Sequence, residues 1–158
     1  MKQIDSFKVN HFLLKEGIYV SRVDYVDGNP VTTYDIRVFR PGNYFPPKAA
    51  HTIEHIGATY LRNDSPLSED VIYFGPMGCM TGFYLILKGN RTPSDIWDEI
   101  RNMFFTIATW TDKVPGATPL ECGNYQFHDI SYASLYAANF VKYVLDSGPT
   151  KENTTYPD

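Results

Sequence analysis

The chain has 158 residues, of which 43% are hydrophobic and 15% aromatic, which is enough for one domain with a buried core and excludes intrinsic disorder. The formal net charge of −4 argues against a nucleic-acid partner, because proteins that bind nucleic acids usually carry a basic excess or a basic stripe. No apolar run reaches the ~18–20 residues of a membrane span and no export signal precedes residue 17, so we expect a cytoplasmic protein with no membrane partner.

The first half of the chain predicts paired strands followed by a helix. Alternating β-branched and aromatic residues predict strands at 17–26 and 32–39, and the short Asp-Gly-Asn-Pro turn between them predicts antiparallel pairing. Apolar residues at three- and four-residue steps predict a helix from Pro47 to about Asn63. Two more strands are expected at 71–74 and 80–88, around a Gly-Pro-Met-Gly turn.

The second half of the chain is mainly helical. Thr92-Pro93-Ser94-Asp95 is a typical helix entry, and the apolar stripe behind it extends to Ala108. A last helix is predicted from about Ile130 to Leu145. These elements predict an α+β fold in which an antiparallel sheet packs against helices, with one catalytic domain at 1–149 and a loose C-terminal tail at 150–158.

The strongest chemical signal is the motif H-x-x-E-H at 51–55 on the first predicted helix. Residues at i and i+4 lie on one helix face, so His51 and His55 can point at one metal ion. Glu54 lies about 60° around the helix from His51 and can move protons beside the ion without binding it. The spacing alone leaves open both a metal site and a polar helix face.

The two cysteines are the other chemically distinctive residues. In a reducing compartment both are expected to be thiols. Catalytic zinc sites typically have three protein ligands, and Cys122 in its Gly- and Asn-flanked loop is the natural third, although a buried structural thiol is the commoner role. Cys79, on a turn between two glycines, is either an acid/base group or nucleophile with a lowered pKa or a small apolar residue in a tight turn.

Five separated stretches resemble the LuxS family of S-ribosylhomocysteine lyases, which make the precursor of the autoinducer-2 signal. The stretches are Ser6-Phe7 with His11, Asp35–Phe39, His51–His55 with Tyr60–Arg62, Pro76–Tyr84, and Glu121–Tyr125 with His128-Asp129. Because they follow the family's order from Ser6 to Asp129, the resemblance is more specific than any single motif.

The resemblance implies three groups of site residues. They are the metal ligands His51, His55 and Cys122, the general acid/base pair Glu54 and Cys79, and the substrate-binding residues Ser6, His11 and Arg37. The implied metal is Fe²⁺, with Zn²⁺ or Co²⁺ as substitutes, and no organic cofactor is implied. The implied assembly is a homodimer whose sheets face each other across the interface, with two identical sites between the subunits.

The reaction that the resemblance implies is cleavage of the thioether of S-ribosylhomocysteine. Proton transfers move the sugar carbonyl from C1 to C2 and then to C3, which brings the sulfur β to the carbonyl and lets it leave by elimination. The products are homocysteine and 4,5-dihydroxy-2,3-pentanedione, which connect the enzyme to quorum sensing and to recycling in the methyl cycle.

Two positions depart from the family pattern beside Cys79. Gly75 stands where we expect serine, and Met80 stands where we expect arginine or another polar residue. If the missing cation normally helps to ionise the thiol, we expect Arg37 or the metal to supply the charge instead.

Two other functions share the H-x-x-E-H spacing. An inverzincin-like zinc metallopeptidase uses the glutamate to activate water, but its third ligand is generally a carboxylate from a later helix and its chain is usually longer. A non-enzymatic structural-zinc interaction module normally has four protein ligands, and the fourth would have to be His128, His11 or Cys79.

Overall fold

The computed structural model describes residues 1–158 and contains one antiparallel sheet with helices on one face. The strands β1 (Gly17–Val26), β2 (Asn29–Arg37), β3 (Val71–Pro76) and β4 (Gly82–Lys88) lie in the order β1-β2-β4-β3. The helices are α1 (Pro47–Asn63), α2 (Pro93–Ala108), α3 (Ile130–Tyr143) and α4 (Lys151–Thr154). The predicted α+β class is confirmed. None of the helices combines the length and the apolar character that a membrane crossing requires.

Turn geometry sets the strand ends that differ from the prediction. β2 begins three residues early, at Asn29, because Asp27 and Gly28 with φ values of 49° and 78° reverse the chain without further residues. β4 begins at Gly82 rather than at Met80, since Met80 has a φ of 59° and belongs to the preceding turn. α3 ends at Tyr143 rather than at Leu145 because a 3₁₀ turn follows it.

The core lies between the sheet and the three long helices. Alternate residues of the strands face the helices, and apolar residues at helical spacing on the helices pack against them, as predicted. The fully buried members include Ile18, Tyr34, Ile36, Phe83 and Leu85 from the sheet and Ile53, Ile56, Ile96, Ile100 and Phe104 from α1 and α2. This packing places α1 on the sheet and leaves one side of α1 to the loop that precedes α3.

The opposite face of the sheet is polar but partly covered. Asp35 and Arg37 of β2 point to this face and are only 2% and 5% exposed. Their cover comes from the N-terminal segment through Leu14 and from Tyr156 near the C-terminus, which line a common cavity with them. Both chain ends therefore contribute to the second face.

The C-terminal segment differs from the loose tail that the sequence predicts. It forms α4, and the backbone of Asn153 lies so close to β1 that a Cβ atom on Gly17 would collide with it. The Tyr156 ring stacks on Tyr19 with centroids 4.9 Å apart, and its hydroxyl donates to Asp35 Oδ2 at 2.9 Å. The segment is ordered by these distant contacts, which a polar local composition does not reveal.

Candidate metal centre and adjoining pocket

Three predicted ligand residues converge at the start of α1. Ligand atoms of His51, His55 and Cys122 all lie within 4.8 Å of one another, and Cys122 Sγ lies 3.6 Å from His51 Nε2. α1 supplies both imidazoles from one face, whereas Cys122 comes from the segment 109–129, which has no helix or strand. All three side chains are half-buried.

Hydrogen bonds fix the orientation and the tautomer of both imidazoles. His51 Nδ1 lies 2.6 Å from the carbonyl of Phe127, and His55 Nδ1 lies 2.7 Å from the carbonyl of Pro115. Because a carbonyl can only accept, each ring carries its hydrogen on Nδ1 and keeps the Nε2 lone pair for another partner. This arrangement is typical of histidines that bind metals.

The segment 109–129 supplies both carbonyls as well as the thiol. It passes His55 at Gly116, which has a φ of 67°, and a Cβ atom there would lie 3.3 Å from His55 Nδ1. Glycine permits both this backbone conformation and this close approach. A long irregular segment in a compact domain is usually functional, and here it orients the ligands of α1 and completes the set.

The donor set fits a divalent transition metal. Two neutral imidazoles and a thiolate suit iron or zinc better than magnesium or calcium. Glu54 Oε2 lies 3.6 Å from His55 Nε2 but is not one of the converging ligand atoms. The group has three candidate protein ligands, which is the number typical of a catalytic site, whereas a structural zinc site normally has four.

His128 adds a third imidazole beside the ligands without joining them. Its ring stacks on His51 with centroids 4.1 Å apart, and its Nδ1 lies 3.1 Å from the hydroxyl of Thr52. Burial, together with the repulsion that a positive charge on His51 or His55 would exert, lowers the pKa of His128 to about 4, so the ring is neutral at pH 7. It does not supply the fourth ligand that a structural zinc site would require.

The other predicted site residues lie together in a separate pocket of about 180 Å³. The predicted residues in its lining are Ser6, His11, Arg37 and Cys79. The remaining lining residues are Phe7, Val9, Leu14, Asp35, Met77, Tyr84 and Tyr156. Neither the three ligand residues nor Glu54 lines this pocket. The structure therefore divides the predicted site residues between two places on one chain.

Arg37 controls the electrostatics of this pocket. Burial raises the pKa of the Cys79 thiol, but hydrogen bonds with Thr81 and the positive charge of Arg37 outweigh it and hold the pKa below its usual range. Arg37 is itself buried and paired with Asp35 Oδ2 at 2.7 Å. Of the two sources of positive charge that the sequence left open, Arg37 and the metal, Arg37 lies in the pocket with Cys79 and lowers its pKa.

The pocket also retains polar atoms with no partner in the chain. Arg37 Nε and Asp35 Oδ1 are buried without a hydrogen bond. His11 Nδ1 lies 2.8 Å from the carbonyl of Val9, so it carries the hydrogen and leaves Nε2 free. The pocket lining thus includes both an unpaired donor and an unpaired acceptor.

Sequence reasoning missed three polar residues of this region. Asp35 could have been found, because it precedes Arg37 by two residues on a strand and therefore shares its face. Thr81 belongs to the Cys79 motif but was assigned no role. Tyr156 lies in the predicted loose tail, where no local signal marks it.

The model of the S-ribosylhomocysteinase (LuxS) family matches residues 4–151. The chain belongs to this family. It is 46% identical over 159 residues to the S-ribosylhomocysteine lyase of Desulfotalea psychrophila, with 99% of each chain covered. It is 45% identical over 159 residues to that of Phocaeicola vulgatus, covering 99% of this chain and 98% of the relative, and 44% identical over 160 residues to that of Finegoldia magna, covering all of both chains. The resemblance carried by the five stretches is confirmed.

Within this LuxS-family chain, both departures have a local structural setting. A Cβ atom on Gly75 would collide with the Tyr73 hydroxyl, so glycine makes room for that exposed ring two residues earlier on the same strand, β3. Met80 packs its side chain against the hydrophobic core instead of extending a charge over the pocket.

Proposed function

We propose that this chain is a metal-dependent S-ribosylhomocysteine lyase that releases homocysteine and 4,5-dihydroxy-2,3-pentanedione by carbonyl migration and β-elimination. The observation that carries the proposal is the convergence of His51, His55 and Cys122 ligand atoms within 4.8 Å. Full-length relatives named S-ribosylhomocysteine lyase support the substrate. The products together contain all the atoms of the substrate, so the reaction consumes no water, oxidant or organic cofactor.

The proposed metal ligands are His51 Nε2, His55 Nε2 and Cys122 Sγ. Their fixed tautomers and their mixed nitrogen and sulfur chemistry support a divalent transition metal, for which the family resemblance implies Fe²⁺, with Zn²⁺ or Co²⁺ as substitutes. A divalent ion bound there supplies Lewis acidity to the sugar oxygens as negative charge develops on them. The protein's own contribution is to hold the three donors so that one side of the group stays open to substrate.

Glu54 and Cys79 are the proposed acid/base groups. The carbonyl must move twice before elimination, and each move takes a proton from one carbon and returns one to its neighbour. The lowered pKa of Cys79 supports a thiol that ionises more readily than a free cysteine and can then accept such a proton. Glu54, whose carboxylate lies beside His55 Nε2, can exchange protons with the sugar hydroxyls on the side of the ligand group.

Ser6, His11 and Arg37 are the proposed substrate-binding residues. The homocysteine end of the substrate carries both an ammonium and a carboxylate group, and binding it requires an acceptor and a donor. The unpaired Asp35 Oδ1 and Arg37 Nε among the pocket residues support this assignment, and Asp35 joins the proposed binding set.

A homodimer with facing sheets is the proposed assembly. One substrate must reach both the acid/base residue Cys79 and the ligand group, yet the ligand residues do not line the Cys79 pocket of the same chain. The exposed surface beside this pocket carries several large apolar side chains, which supports a second copy of the chain as its cover. The exposed apolar residues are Ile4, Phe7, Phe12, Leu13, Ile72 and Tyr73. In the proposed dimer each pocket faces the ligand group of the other protomer.

The cytoplasm is the proposed location. Cys79 and Cys122 are both free of disulfide bonds, and a lyase that depends on two thiols is suited to a reducing compartment. The proposed biological roles are production of the autoinducer-2 precursor and recycling of the methyl-cycle by-product.

Incubation of the purified, metal-loaded protein with S-ribosylhomocysteine tests the function. We expect one free thiol to appear for each substrate molecule consumed, followed with a thiol-reactive dye alongside elemental analysis of the protein. A peptide substrate in a parallel assay should remain intact. Absence of thiol release from protein that contains one metal per chain would overturn the proposal, and peptide cleavage would favour the metallopeptidase instead.

The variant Glu54→Gln should lower kcat by about 10²-fold, because amide nitrogen and oxygen cannot exchange protons as a carboxylate does. Metal content should not change, since Glu54 is not one of the converging donor atoms. The exposed Glu69, whose side chain makes no hydrogen bond, offers Glu69→Gln as a matched control with full activity. Loss of the metal from Glu54→Gln protein would show instead that the carboxylate is a ligand.

A further inference from the structure

The hydroxyl of Thr81 lies between Arg37 and Cys79. Its Oγ1 atom has two hydrogen-bond partners, Arg37 Nη1 and Cys79 Sγ, and the distance to the sulfur is 3.0 Å. No other side chain or carbonyl bonds to this hydroxyl. Thr81 itself is half-buried between the two residues.

The chemistry of the guanidinium group fixes the direction of the first hydrogen bond, and the charge state of the sulfur fixes that of the second. Arg37 has only donors, so its Nη1 must donate to Thr81 Oγ1. The hydroxyl has one hydrogen of its own, and Cys79 Sγ is the one acceptor within reach of it. A Cys79 thiolate can only accept, so in that state the hydroxyl hydrogen points at the sulfur and stabilises its charge.

The backbone between Cys79 and Thr81 is built to bring the two side chains together. Met80 has a φ of 59°, a left-handed conformation that is uncommon for residues other than glycine. The carbonyl of Met80 accepts from Phe45 N at 2.8 Å, and that of Thr81 accepts from Phe39 N at 2.9 Å, so the turn is anchored on both sides. Such conformations persist where the surroundings hold them, often at functional sites.

The donor to Thr81 is held in turn by a buried network that reaches the C-terminus. Asp35 Oδ2 accepts from Arg37 Nη2 at 2.7 Å and from the Tyr156 hydroxyl at 2.9 Å. The ionisable groups that face Cys79 across the pocket are Arg37 and Asp35 of β2, Tyr84 of β4, His11 of the N-terminal segment and Tyr156. Arg37 is the one permanent cation among them, and Asp35 already neutralises part of its charge. A directed hydrogen bond at the sulfur therefore adds to what the ion pair alone can provide.

We propose that Thr81 is a positioning residue for the lyase reaction, whose hydroxyl passes the polarisation of Arg37 to Cys79 and fixes the rotamer of the thiolate. The proposal rests on the proposed role of Cys79 as an acid/base group. Its test measures the thiol directly and needs no substrate. The role of Thr81 can therefore be refuted while the proposed lyase activity is confirmed, and the lyase activity can be refuted while the role of Thr81 is confirmed.

The test compares three variants of the metal-loaded protein by the pH dependence of Cys79 alkylation with iodoacetamide, followed on the Cys79 peptide by mass spectrometry. Thr81→Val preserves shape and removes the hydroxyl, and Thr81→Ala gives a second hydroxyl-free protein in case valine disturbs the turn. Both should shift the midpoint of the alkylation profile upward by about one pH unit, the size expected for a hydrogen bond to a charged group. Thr81→Ser keeps the hydroxyl and should restore the wild-type midpoint.

The same variants should also differ in kcat and in its pH dependence. Thr81→Val should lower kcat and move its pH profile in the direction of the alkylation midpoint, with KM for S-ribosylhomocysteine little changed, because Thr81 does not line the pocket. A wild-type alkylation midpoint in both hydroxyl-free variants would overturn the proposal. So would a serine variant whose midpoint matches that of valine, since the methyl group and not the hydroxyl would then be the cause.

Discussion

Cys79→Ala protein should bind its metal normally and fail to release thiol from S-ribosylhomocysteine. We expect kcat to fall by about 10³-fold, the usual size of a positioned acid/base contribution. The metal should remain because Cys79 lies in a pocket that the ligand residues do not line. Thiol titration and elemental analysis of the same sample measure both quantities.

The pH dependence of the wild-type enzyme should carry the signature of the same residue. Hydrogen bonds from Thr81 and the positive charge of Arg37 lower the pKa of Cys79, so the thiolate forms at a lower pH than in a free cysteine. If the thiolate acts as the base, kcat/KM rises with pH as Cys79 ionises, and this rising limb disappears from the residual activity of Cys79→Ala. Full activity in Cys79→Ala would remove the residue from the mechanism.

Cys122→Ala should have the opposite effect on metal content. Removal of one of three ligands leaves two imidazoles of α1, and even the loss of an outer hydrogen-bond partner of a ligand typically lowers metal affinity by about 10–100-fold. We expect metal stoichiometry well below one per chain after dialysis, with loss of lyase activity in the same proportion.

The two cysteine variants are controls for each other. Each removes one thiol from a chain that has two, and one should lose the metal while the other keeps it. Addition of excess Zn²⁺ or Fe²⁺ should partly restore Cys122→Ala and leave Cys79→Ala inactive. An unchanged metal content in dialysed Cys122→Ala would contradict the ligand assignment.

Local periodicity accounts for the features that the sequence predicted well. The 3.6-residue turn of α1 brings His51 and His55 to one face wherever the helix packs, so their pairing needed no tertiary information. Similarly, the alternation along β1 and β2 and the capping residues of α2 determine those elements from neighbours in the chain. The loop setting of Cys122 made it a candidate third ligand, and the family motif rather than any local geometry favoured that role over a structural thiol.

The features that only the tertiary structure decided depend on contacts between residues far apart in the chain. The carbonyls of Pro115 and Phe127 select the tautomers of both imidazoles, and no local pattern predicts where an irregular segment directs its carbonyls. Tyr156 is bound into the Cys79 pocket by Asp35, 121 residues earlier, although its own neighbours read as a loose polar tail. Every regular helix or strand repeats the same residue spacing, so the residues that share one of its faces can be predicted from the sequence. The course of a loop depends on packing that exists only in the folded chain.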